Sequence, residues 1–194
     1  METKKPDRRV VKTHRAIRNA FAELLTQKDI DAITVKDIAD TADINRKTFY
    51  NYYAGVYQVL AEIEDEIVEA FESDLTDFDF DRDIQHPDGT FRKLTTLISS
   101  DPEFYGRLFE AGSTSHLGDK LTELIRDKTV AFFREKAIGD PDVLEISANY
   151  VIYGVMAVHR SWYNSGRKLP IEQVSRIVNE LVVNGLKVYL PQKP

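Results

Sequence analysis

Arg46-Lys47-Thr48-Phe49-Tyr50-Asn51-Tyr52-Tyr53 gathers two cations, a hydroxyl, an amide and three phenols into one short run. Cations and phenols suit phosphate oxygens, and Arg, Lys, Thr and Asn can address the edges of bases. Such groups read nucleic acid only if a rigid element presents them together. Asn45 is a good N-cap for a helix opening at Arg46. Upstream, Thr34 stands three residues before Asp37, a hydroxyl and an acid placed to satisfy orphan N–H groups at the start of another helix. Val35, Ile38, Ala39 and Ala42 give that helix one apolar face. A break falls at Ala42-Asp43-Ile44. Helix, tight turn and basic second helix make a helix-turn-helix, with Phe49 expected to point inward with Ile38 and Ile44.

No other stretch assembles the parts of a reaction centre. There is no GxSxG, phosphate loop, dinucleotide glycine pattern or HExxH. The histidines, at 14, 86, 116 and 159, lie in separate segments, and Cys is absent, which removes disulfides, thiolate nucleophiles and Cys zinc sites. Asp77, Asp79, Asp81 and Asp83 alternate like the start of a calcium loop. The Gly and Glu that such a loop requires are missing at their positions, so a charged surface loop is the expectation. Glu103 and Glu110 read as a solvated face. The sequence therefore points to no enzyme, no catalytic residues, no metal and no cofactor.

The whole chain of 194 residues has a formal net charge of −6, which by itself argues against nucleic acid. The distribution matters more. Residues 1–53 carry eleven Lys/Arg and eight Asp/Glu, a net of +3, which leaves −9 for the rest. A basic head on an acidic body fits contact with DNA through one end. No run approaches the roughly 18 apolar residues of a membrane span. The N-terminus lacks the apolar core of a secretory signal. With no Cys, the expected location is the cytoplasm.

The elements that must position the basic run are all helical. A first amphipathic helix is predicted over 8–27, with Val11, Ala16, Ile17, Ala20, Phe21, Leu24 and Leu25 apolar and Lys12, Arg15 and Arg18 largely off that stripe. For Lys12 and Arg15, a solvated face and phosphate contact remain open alternatives. After Tyr53 a long helix runs from about Val56 to Leu75. Its stripe is Val59, Leu60, Ile63, Ile67, Ala70 and Phe71, and its exposed face is expected to be acidic (Glu62, Glu64, Asp65, Glu66, Glu69, Glu72, Asp74). Further helices are predicted over about 90–99, 102–109, 117–137, 141–165 and 170–189. Asp101-Pro102 and Gly139-Asp140-Pro141 supply stop and start signals. No strand alternation and no internal repeat occurs. The predicted class is all-α, with about nine helices: a three-helix DNA-binding head over 1–54 and a ligand-binding and dimerisation bundle over 55–194.

The last two predicted helices carry more apolar surface than one stripe needs, with Ala148, Gly154, Ala157 and Gly185 allowing close backbone approach. Burial inside one chain is one reading. A homodimer joined through 141–165 and 171–189 is the favoured one, since a helix-turn-helix generally reads paired half-sites.

ITVKDIADTADINRKTFYNYY resembles the DNA-binding signature of the TetR/AcrR family of bacterial transcriptional regulators, over about residues 8–70. LISSDPEFYGRLF and YGVMAVHRSWYNSG are similar to the C-terminal domains of a subgroup that includes relatives of the dihydroxyacetone-kinase operon activator. The resemblance implies a homodimer paired through its last two helices, a double-stranded DNA operator and a small-molecule effector held among the middle helices. By motif position it implies DNA contacts from Thr34 and Lys36, then Arg46, Lys47 and Thr48, then Tyr50, Asn51 and Tyr52. Two departures stand out. Asp43 replaces the usual turn glycine, and Asp tolerates the left-handed region. Val56 replaces the usual phosphate-binding Lys, so binding should depend less steeply on salt.

Effector-lining candidates are Phe104, Tyr105, Phe109, His116, Phe132, Phe133, Tyr150, Tyr153, His159 and Trp162, with plain core the favoured reading for any one of them. The leading expectation is a ligand-responsive regulator, most often a repressor in this family, acting as a dimer on a palindromic operator. The alternative is an adaptor of the same fold that binds another protein and no specific DNA.

Overall fold

The computed structural model describes residues 8–75, 93, 96–97, 100–110, 114–135 and 140–186, without the side chains of residues 102, 110, 132, 133, 183 and 186. The expected loop at 78–89, the breaks at 111–113 and at Gly139, most of the segment at 90–99 and the end of the last helix lie outside them. Eight α-helices and one 3₁₀ turn occur among the described residues, and no strand: α1 Arg8–Gln27, α2 Val35–Thr41, α3 Arg46–Tyr50, α4 Val56–Asp74, α5 Pro102–Glu110, α6 Leu117–Glu135, α7 Pro141–Asn164 and α8 Ile171–Leu186. The chain divides into two compact units, Met1–Ile67 with Glu103–His116, and Val68–Pro102 with Leu117–Pro194.

In the first unit, α1 buries Ile17, Ala20, Phe21, Leu24 and Leu25, the stripe that its periodicity predicts. Val11 departs from that stripe: it is half exposed, as is Val10, because the first turns of α1 project beyond the core. The 3₁₀ turn Ile30–Ala32 and the following Ile33 bury both isoleucines beneath the head. α2 then opens on a complete reciprocal cap. The Asp37 N–H donates to Thr34 Oγ1 (3.2 Å) and the Thr34 N–H to Asp37 Oδ2 (2.9 Å). Lys28 Nζ lies 2.7 Å from the same carboxylate. The hydrogen bond from Lys28, and then those from Thr34, hold the Asp37 carboxyl well below the usual range.

Asp43 has φ of 52°, the left-handed conformation that ends α2 where glycine is usual. The Ile44 N–H closes the turn onto the Ala39 carbonyl at 3.0 Å. Asn45 caps α3, its Oδ1 accepting from the Thr48 N–H at 2.7 Å. α3 is shorter than the sequence suggests. From Asn51 the backbone tightens to bonds three residues back, Asn51 to Thr48 and Tyr52 to Phe49. That tightening turns Tyr53 into the core beside the fully buried Phe49 and Ile38. The next helix starts at once, with the Ala54 N–H held by Gln58 Oε1 at 2.7 Å.

The acidic face of α4 is only partly solvated. Glu66 pairs with Arg18, and Glu62 Oε1 lies 3.2 Å from His14 Nδ1, fastening α4 to α1. Glu64 corrects the expectation of an exposed acid outright. It is buried, and its Oε1 accepts from Ser115 Oγ and from the His116 N–H, both at 2.9 Å. These two donors, of which Ser115 is buried, replace the water that the carboxylate gives up. Ala70, placed on the apolar stripe by periodicity, is exposed.

In the second unit, α6 packs along α7. Leu117, Leu121 and Ile125 on α6 and Leu144, Ala148 and Ile152 on α7 are buried. Asp140 caps α7, accepting from the Asp142 and Val143 N–H groups, with Pro141 following in the first turn. Val174 and Val178 of α8 pack with Val155, Trp162, Ile171 and Val182. Trp162 Nε1 donates to the Leu169 carbonyl at 2.8 Å, closing the α7–α8 turn through left-handed Gly166 and Arg167. Much apolar surface remains outside this core. Ile146, Tyr150 and Tyr153 on α7 and Ile177 and Leu181 on α8 are exposed.

Candidate nucleic-acid interface

The two caps and the left-handed turn hold α2 and α3 as one rigid pair, and Phe49 with Ile38 locks them from beneath. The polar side chains are thereby left on one side. Thr34, Lys36, Arg46, Lys47, Tyr50 and Asn51 are exposed, whereas Thr48 and Tyr52 are half-buried. Thr48 Oγ1 donates to Asn45 Oδ1 at 3.0 Å, so its hydroxyl is engaged in the cap. Thr34 Oγ1 likewise donates to Asp37 Oδ2, at 2.7 Å. Tyr50 is 58% exposed with its ring edge-on to Phe49, so the phenol stands out from the head on a fixed base. Tyr52 packs edge-on against His14, ring centres 5.4 Å apart.

A groove of about 750 Å³ runs beside α3, lined by the first turns of α1 as well as by the helix-turn-helix. Arg9 and Thr13 face it together with Asn45, Thr48, Asn51 and Tyr52. Sequence reading weighed Lys12 and Arg15 and passed over these two. The signal was present: positions 9 and 13 are one helical turn apart, off the apolar stripe. Arg15 and Arg18 face a second groove of about 450 Å³ alongside Glu62 and Glu66. The α1 cations are thus divided, Arg9 toward α3 and Arg15 and Arg18 toward the carboxylates of α4. Burial and the neighbouring Glu62 push the Tyr53 phenol above its ordinary value, and its oxygen lies 3.1 Å from His14 Nδ1.

The effector-lining candidates do not form one cluster. Phe104, Tyr105, Phe109 and His116 belong to the first unit, with Phe104 and Tyr105 half-buried and edge-on to each other. The side chains of Phe132 and Phe133 lie outside the described residues. Tyr150 and Tyr153 are 82% and 54% exposed on the outer face of α7. His159 is buried and Trp162 half-buried, with ring centres 5.7 Å apart.

Burial lowers the His159 pKa to about 4, against an ordinary 6.5. Between those values the unfolded chain takes up a proton that the folded chain refuses. Stability is therefore complete above about pH 6.5 and falls as the pH drops toward 4, by up to roughly 3 kcal/mol. Urea unfolding at pH 7.5 and 5 should reveal this slope, and His159→Gln should flatten it.

Among the described residues no group of three or more His, Asp or Glu is placed to hold a metal, and no helix is long and apolar enough to cross a membrane. A helix-turn-helix head joined to further helices defines the class as a DNA-binding regulator. Two family models match this chain, one describing bacterial regulatory proteins of the tetR family over residues 17–63, the other a transcriptional regulator C-terminal region over residues 85–184. The chain belongs to the TetR family of transcriptional regulators.

An uncharacterized HTH-type transcriptional regulator of Bacillus subtilis, YxbF, is 43% identical over 58 residues, which are 29% of this chain and 15% of that protein. The match thus spans far less than two thirds of that relative. Solved structures share the fold over nearly the whole chain. The dihydroxyacetone kinase operon activator DhaS is similar with a TM-score of 0.65 at 20% identity, covering 92% of this chain and 98% of that one. NalD, the secondary repressor of the MexAB-OprM multidrug efflux pump in Pseudomonas aeruginosa, gives 0.66 at 14% identity, with 97% and 100% covered. FadR from Bacillus subtilis, solved in complex with stearoyl-CoA, gives 0.65 at 17%, with 88% and 98% covered.

Proposed function

We propose that this regulator is a ligand-responsive repressor that reads a palindromic operator as a homodimer in the cytoplasm, with a DNA-binding head over 1–54 and an effector-binding and dimerisation region over 55–194. The observation that carries the DNA-reading part is the exposed Arg46-Lys47 pair at the start of α3, whose N-terminus Asn45 caps. Both side chains are free to enter a major groove while that cap fixes the helix. Lys36 and the phenols of Tyr50 and Tyr52 serve the phosphate backbone, with Thr34, Thr48 and Asn51 orienting the approach. Arg9 and Thr13 extend that contact along α1.

The exposed apolar faces of α7 and α8 favour pairing with a second copy. Gly154 and Gly185 support this reading, because a Cβ at either position would meet nothing within 4 Å in the single chain. Their lack of a side chain leaves room for a partner helix. Repression follows the named activity of NalD among the similar structures, and response to a ligand follows FadR and its stearoyl-CoA. For the effector, the half-buried Phe104, Tyr105 and Phe109 of the first unit favour a molecule with an apolar or aromatic body.

Tyr50→Phe removes one phosphate-directed hydroxyl and touches no base. It should weaken binding to all duplexes alike, about three- to tenfold on the usual worth of such a hydrogen bond, measured by gel shift on specific and random DNA. The reading as a whole is tested by selecting duplexes from a random pool and sedimenting the protein. An enriched inverted repeat and a dimer are expected. A pool that stays random would favour the adaptor reading instead.

A further inference from the structure

We propose that His14 is a positioning residue for DNA binding: held by Glu62 and Tyr53, its imidazole seats the ring of Tyr52, and the proton it takes up firms that seat. This rests on the proposed reading in which the Tyr52 phenol serves the phosphate backbone.

α1, the helix-turn-helix and the first turns of α4 belong to one compact unit. His14 and Arg18 lie one turn apart on α1 and meet Glu62 and Glu66, one turn apart on α4. The two pairs form matched rungs between the helices. Arg18 keeps its charge at every relevant pH, so its rung is constant. The His14 rung is the one that a proton can strengthen, from a hydrogen bond to an ion pair. The charged side chains that share its groove are Arg15 and Arg18 on α1 and Glu62 and Glu66 on α4. The rings of Tyr52 and Tyr53 meet the imidazole from the end of the helix-turn-helix.

His14 Nδ1 lies 3.2 Å from Glu62 Oε1 and 3.1 Å from the Tyr53 hydroxyl oxygen. A lone pair on that nitrogen would face the negative carboxylate, so Nδ1 carries the proton in the neutral ring. A half-turn of the ring would put a carbon there and lose both contacts, so the imidazole plane is fixed. Tyr52 packs edge-on against this plane, ring centres 5.4 Å apart and planes at 75°. The same Tyr52 lines the groove beside α3, with Thr48 and Asn51. Tyr53 fills the core beside Phe49, a task that Phe would serve as well. What its hydroxyl adds is the contact that fixes His14. The His14 and Glu62 side chains are 34% and 33% exposed, which admits protons and also screens the pair. Its charge is therefore worth about two- to fivefold at each head.

The test measures dissociation constants of the full-length protein at pH 8 and pH 6, at constant ionic strength, on an operator selected from random duplexes by the wild type. Active fractions from stoichiometric titration remove any loss of folded protein. Wild type should bind about tenfold tighter at pH 6, roughly threefold for each of two heads. His14→Gln, which cannot take up the proton, and Glu62→Gln, which has no charge to pair with it, should each bind alike at the two pH values to within about twofold. Tyr52→Phe removes the hydroxyl that the seat aims. In that background His14→Gln should change affinity at pH 6 by less than about twofold, against about tenfold otherwise, since residues acting as one are not additive. A pH dependence that survives in His14→Gln overturns the inference. So does a His14→Gln loss undiminished in Tyr52→Phe, which would make His14 a phosphate contact in its own right. Either result leaves DNA reading intact. A wild type that selects no duplex overturns the proposed function and this inference with it.

Discussion

Arg46→Ala should reduce affinity for the selected operator at least about thirtyfold and broaden the base preference at one position of each half-site. Arg at the opening of a recognition helix can present two parallel donors to guanine, and such a pair discriminates by roughly 1–3 kcal/mol. A palindrome contains two half-sites, so the loss is counted twice. The fold should survive. Arg46 is exposed, and α3 is held by Asn45, by the left-handed Asp43 and by Phe49, none of which the substitution touches. Binding to random duplex, which depends on summed charge, should fall only slightly. Competition gel shifts of the two proteins on specific and random DNA measure both quantities, and an equal loss on both would place Arg46 on the backbone.

Ile146→Asp with Leu181→Asp should convert the dimer to monomer and abolish tight operator binding. These side chains are 71% and 69% exposed in the single chain, so neither holds the unit together. Burying a large aliphatic side chain against a partner contributes roughly 1.5–3 kcal/mol. In a two-fold interface each position occurs twice, and the new carboxylates would also have to be desolvated. The dimer dissociation constant should rise by well over a hundredfold on these figures. Helical circular dichroism should match wild type while sedimentation reports half the mass. A protein that remains dimeric would assign the interface to another surface.

The helix-turn-helix was legible because its signals are local. Thr34, Asn45 and Asp140 announce their helices by type and position alone, and each caps as expected. Asp43 was read as a residue able to adopt a left-handed turn, and does so. Non-local features were not legible. Glu64 stands among acids on a face that periodicity assigns to solvent, and only the approach of Ser115 and His116 buries it. Tyr53 continues a helical pattern, yet the chain bends there because Phe49 and Tyr53 share one core. Arg9 and Thr13 required knowing where α1 crosses α3.

The apolar excess near the C-terminus is a different case. Periodicity marked it, but the same residues serve a buried helix or a paired one. In the chain by itself Tyr150 is mostly exposed while Ile152, two residues on, is buried. One helix thus carries both faces, an inner one for its own core and an outer one exposed in the single chain, where the proposed second copy would pack. For the effector, aromatic type alone could not separate core from lining, and the candidates fall in two different units.

The central claim is that paired α3 helices read DNA bases, and footprinting the DNA upstream of the protein's own gene tests it most directly. Two protected half-sites with centres about one helical turn apart, lost with Arg46→Ala at the same protein concentration, are predicted. No protection, or protection that Arg46→Ala leaves unaltered, would contradict it.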